Sequence, residues 1–129
     1  MLFFRKILIA ILVGSAALEL VIAILLFLRP ELEAVQFHIA ISHDTLSLAH
    51  IMAEFAIFLA VICMVAAWKV FKKDPAGSLL SILCGLHWIC LGVGLFLRYY
   101  EVKFLVMDTM RGFCLLALPY WISHLEKRS

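Results

Sequence analysis

Charge is scarce in this chain. Asp, Glu, Lys and Arg make up 16% of its 129 residues, and their balance of +2 is too small to suggest a nucleic-acid partner. The four cysteines, Cys63, Cys84, Cys90 and Cys114, include no CxxC pair, which argues against a redox or zinc motif. They read as small core residues of apolar runs. No ExxH pair is present, no motif for nucleophilic catalysis appears, and no repeat or low-complexity segment stands out. There is no room for a second domain, so residues 1–129 are read as one.

What is abundant is apolar surface. Hydrophobic residues are 66% of the chain, against about half in a soluble domain, and the mean hydropathy is +1.10. Four runs, over residues 4–28, 46–71, 78–97 and 104–122, are long enough to cross a bilayer, which takes about 20 apolar residues. The first starts near Arg5 and Lys6 as a signal peptide does. Its apolar stretch exceeds the roughly 7–15 residues of a signal core, however, and no small-x-small cleavage site closes it, so a retained helix is expected.

Pro30 ends the first run. In the long connection that follows, Val35, Phe37, Ile39 and Ile41 alternate with Gln36, His38, Ala40 and Ser42, a period-two pattern of a flap or interfacial segment. Ser42, Asp44 or Thr45 can cap the second helix. Trp68, Lys69, Lys72 and Lys73 form a membrane-interface boundary, and Asp74-Pro75-Ala76-Gly77 is a tight turn. Residues 123–129 read as a polar tail. Basic residues gather on the side holding both termini and the second turn, which the positive-inside rule makes cytoplasmic. The expectation is an all-α polytopic membrane protein, an antiparallel four-transmembrane-helix bundle, in a bacterial cytoplasmic membrane with both termini inside. Ser81, Gly85 and Gly92 form a small-residue stripe that lets helices approach closely, with Trp88 buried on it.

Ionisable groups inside such runs are costly and face other helices or water. At 1.5 Å per residue, counting from the ends away from the termini, Asp108 and His50 lie roughly 6 Å deep, Arg111 about 10 Å, Glu54 about 12 Å, Glu19 about 13 Å and His87 about 15 Å. All four runs contribute, and all six groups fall in the outer half. His50 and Glu54 share a helix face at i, i+4, and Asp108 and Arg111 at i, i+3. Three carboxylates against one arginine leave −2. Protonated carboxyls or histidines, a bound cation, a cationic ligand or water would relieve it. A simple Asp108–Arg111 ion pair locking the fourth helix is the plainer reading.

Glu19, His50, Glu54, His87, Asp108 and Arg111 are therefore the candidate ligand-binding residues; no catalytic residue and no cofactor is assigned. A pocket with apolar walls and a few convergent polar groups suits a lipophilic molecule such as a quinone, sterol or lipid, held by a non-enzymatic binding or accessory subunit. The alternatives are a membrane redox or metal-dependent enzyme using His50, Glu54 and His87, and a purely structural subunit. Membrane lipid, a larger membrane complex or a homo-oligomer are the expected partners.

The Arg29-Pro30-Glu31 exit from the first span, the short second turn, and the third-span stretches Gly85-Leu86-His87-Trp88 and Leu91-Gly92-Val93-Gly94-Leu95-Phe96-Leu97-Arg98 resemble small four-helix membrane proteins of the DoxX-like kind. The resemblance covers most of the chain, by layout rather than by a specific motif. It implies a cytoplasmic-membrane protein, in some cases a membrane subunit of quinone-linked oxidoreductases. It assigns no role to the HxxxE stretch.

Overall fold

The structure is a computed structural model that describes residues 2–32, 40, 42–99 and 102–128. It consists of α1 (Leu2–Leu28), α2 (His43–Phe71), α3 (Pro75–Tyr99) and α4 (Val102–Arg128). Each contains a stretch long and apolar enough to cross a bilayer. There is no strand among the described residues, and the alternating segment after Pro30 lies largely outside them. The chain is an all-α, four-helix membrane bundle.

Helix ends follow capping chemistry more than hydropathy. The α2 helix starts ahead of its apolar run because Ser42 and Thr45 form a capping box: the Thr45 amide donates to Ser42 Oγ at 3.2 Å and the Ser42 amide to Thr45 Oγ1 at 3.1 Å. The α2–α3 turn closes α2 with two reversed bonds, Lys73 N to Val70 O and Asp74 N to Lys69 O, around Lys73 at φ 59°. Asp74 then caps α3, taking the Ala76 amide at 2.9 Å, with Pro75 in the first turn, where its missing N–H costs nothing.

The fourth helix outruns its expected end at residue 122 and takes in most of the polar tail. Residues 123–128 continue α4, because Glu126 pairs with Arg5 of α1 and Lys127 and Arg128 suit the negative end of a helix. Pro119 lies inside α4 without ending it.

Helices α1 and α2 pack extensively along each other, as do α3 and α4. Near the termini all four contribute to one core, which includes Leu8, Leu12, Cys63, Cys84, Trp88, Leu115 and Ile122. At the opposite end the buried cluster comes from α1 and α2 alone: Ala23, Leu26, Ala49, Ala53 and Ala56. All four helices thus share a buried core only toward the termini, and the opposite end is hollow between the two helix pairs. The α3–α4 crossing is tight, since a Cβ on Gly85 would lie 2.6 Å from the Gly112 carbonyl oxygen. Cys63 and Cys84 are core residues as expected, whereas Cys90 and Cys114 lie exposed on the apolar outer surface.

Candidate functional site

The hollow end holds a polar floor under apolar walls. On α1 the buried positions Leu8, Leu12, Ser15, Glu19, Ala23 and Leu26 recur at helical spacing, which carries Glu19 into the bundle at 7% exposure. On α3 the stripe Ser81, Gly85, Trp88 and Gly92 is buried, and Trp88 is fully enclosed. On α4 Asp108, Gly112, Leu115 and Ile122 share the inner face, with Arg111 half-buried beside them.

These side chains meet. Trp88 Nε1 donates to Glu19 Oε1 at 3.3 Å. The Arg111 guanidinium lies 4.1 Å over the Trp88 ring, a cation–π contact. Its Nη2 donates to Asp108 Oδ1 at 2.8 Å and stands 3.6 Å from Glu19 Oε1. Glu19 on α1, Trp88 on α3 and Asp108 with Arg111 on α4 are thereby tied at one level. His87 sits edge-on to Trp88 with ring centroids 6.0 Å apart and reaches the rim. Two carboxylates against one arginine leave a net charge of −1 when all three are ionised.

Above this floor opens a cavity of about 400 Å³. Its polar lining is Glu19, His87, Asp108 and Arg111. The walls are apolar and come from all four helices: Ile22 and Leu26, Met52 and Phe55, Leu91 and Leu95, and Met107 among them. A second hollow, of about 430 Å³, lies near the termini against the paired charges of Arg5, Asp74 and Glu126.

Four of the six candidate residues, Glu19, His87, Asp108 and Arg111, come together. The other two do not join them. His50 and Glu54 are exposed on the outside of α2; His50 stacks on Phe27 at 5.8 Å between ring centroids rather than bonding to Glu54. The reason is rotational. Ala49, Ala53, Ala56, Ala60 and Cys63 form the small-residue face that α2 buries, and Met52, Phe55 and Leu59 face the cavity. At roughly 100° per residue, Glu54 points to the far side of the helix. The expected excess charge therefore falls from −2 to −1. The expected metal trio is corrected for the same reason: His50 and Glu54 lie apart from His87, and no three His, Cys, Asp or Glu side chains gather as a metal site among the described residues.

Trp88 is the site residue whose role the sequence left unread. The signal is a tryptophan on a buried small-residue stripe, since an enclosed indole N–H needs an acceptor. Chemically the floor offers guanidinium donors and carboxylate acceptors at the end of an apolar chamber. That combination orients the polar head of an amphipathic molecule. No protein-family model matches the chain, and comparisons with curated proteins and with solved structures find no match.

Proposed function

We propose that this small membrane protein binds a lipophilic ligand in the cavity, with the ligand's polar head on Glu19, His87, Asp108 and Arg111. The observation that carries this reading is the pairing of apolar walls from four helices with a single polar floor. A quinone, a sterol-like molecule or a lipid has the required shape, an apolar body with one polar end. The role is that of a binding or accessory subunit, in a bacterial cytoplasmic membrane, with both termini inside. The layout resemblance to DoxX-like proteins supports that setting, and the basic residues near the termini support the orientation.

The test is ligand retention. Protein purified in mild detergent is extracted with organic solvent, and the copurified molecules are identified by mass spectrometry. Leu91→Trp, which fills the chamber from its wall, should strip the retained lipophilic species while leaving the helical content unchanged. Equal retention by the variant and the wild type would count against the cavity as the binding site.

A further inference from the structure

The outside of α2 carries an observation the cavity does not absorb. His50, Glu54, Ile57, Val61, Met64 and Trp68 are all exposed, and they follow one another at alternating spacings of four and three, the repeat of a helix–helix seam. A lipid-facing helix has no need of a carboxylate on that seam. Glu54 is fifteen residues from Lys69 at the interface, roughly 22 Å along α2 against a hydrocarbon core of about 30 Å. It therefore sits roughly 8 Å inside the apolar layer. It has no hydrogen-bond or ion-pair partner among the described residues. Carboxylates placed that way are expensive and are normally paired.

We infer that two copies of the chain associate along α2, with His50 of each copy paired to Glu54 of the partner subunit. The stripe supplies the complement itself. In a two-fold dimer about the membrane normal the two α2 helices run parallel, and the same surface meets itself. Glu54 and the partner subunit's His50 differ in height by about one turn, roughly 6 Å, an offset that long side chains flanking the seam of a parallel helix pair span. The imidazole N–H donates to the carboxylate, and symmetry makes the contact twice. Ile57 and Val61, below the pair, supply apolar packing. The contact leaves the cavity free, because Met52, Phe55 and Leu59 face the other way around α2.

A charge exchange tests this. The full chain, labelled with donor and acceptor fluorophores, is reconstituted in phosphatidylcholine vesicles at a series of protein-to-lipid ratios, and energy transfer reads dimerisation. Wild type should dimerise. His50→Glu and Glu54→His each place like groups in the seam. Each should raise the dissociation constant by about tenfold, the size of two average polar contacts between membrane helices. The double variant H50E/E54H should recover wild-type association. Circular dichroism checks folding. Should a charge variant lose helicity, Val61→Trp widens the same seam without changing charge and should weaken the dimer likewise. A monomeric wild type, single variants as dimeric as wild type, a folded double variant that fails to recover, or an unaffected Val61→Trp chain each overturns the proposal.

Discussion

Ser81 donates from Oγ to the main-chain oxygen of Leu115 at 2.9 Å, across the α3–α4 contact. Leu115 lies four residues before Pro119, which has no N–H to give that oxygen. The hydroxyl of one helix thus supplies the bond that the proline of the next withholds. Both side chains are buried, where an unpaired carbonyl is expensive. This is why α4 runs through Pro119 to Arg128.

Ser81→Ala should therefore destabilise the protein by about 1–3 kcal/mol, the usual penalty for an orphaned buried polar group. Pro119→Ala restores a main-chain donor within α4. In that background the loss of the Ser81 hydroxyl should matter far less, with a coupling of at least about 1 kcal/mol. Thermal melts in detergent for the four members of the cycle measure it. Additive effects would show that the hydroxyl does not stand in for the missing amide.

Arg111 holds the polar floor, so its removal should be the most damaging single change there. Arg111→Leu leaves Glu19 and Asp108 without a counter-charge and uncovers Trp88, and breaking such a pair commonly costs about 3–5 kcal/mol. Arg111→Lys keeps the charge but loses the planar stack, and should fall between. Glu54→Gln, on the outside of α2, should stay within about 0.5 kcal/mol once the detergent solution is dilute enough for the chain to be monomeric. Melting temperatures of the three variants give the ranking. A mild Arg111→Leu beside a severe Glu54→Gln would reverse it.

Depth was legible in the sequence and azimuth was not. Glu19, Asp108 and Arg111 do meet, as their common place in the outer half suggests, although the count itself sets them several ångströms apart in depth. The same count gives a height for Glu54 but no direction. The directional signal is the alanine series at 49, 53, 56 and 60, which marks the packed face of α2 and turns Glu54 away from it. Spans were legible because hydropathy records them. The α2 start was legible too, since Ser42 is among the cap candidates the sequence offers; the far end of α4 was not, because an ion pair from Glu126 to Arg5 has no hydropathic signature.

The α3–α4 crossing should tolerate no added carbon. A methyl on Gly85 meets the Gly112 carbonyl oxygen at 2.6 Å, and backbone on both sides cannot turn aside. Gly85→Ala should cost about 1–3 kcal/mol as overpacking. Gly14 is the internal control, since nothing lies within 4 Å of its added Cβ. Gly14→Ala should be stabilising by up to about 1 kcal/mol through helix propensity. Opposite shifts in melting temperature are expected, and a Gly85→Ala protein as stable as wild type would show that α3 and α4 can separate freely.

The α2–α3 turn should make stability depend on acid. Asp74 accepts the Ala76 amide at 2.9 Å and Lys69 Nζ at 3.2 Å. The amide first, and the ammonium second, hold its carboxyl below the ordinary value of 3.8. A carboxyl lowered on folding stabilises the folded state above its unfolded value, and that contribution fades as pH falls through the folded one. Asp74→Ala should therefore lower the melting temperature near neutral pH, and the gap to wild type should close as the pH drops below 3.8. Lys69→Met should reproduce only the smaller share, because the Ala76 amide remains. Melts of the three proteins across that range decide it: a gap that persists in acid would mean the Asp74 side chain acts through packing rather than through its charge.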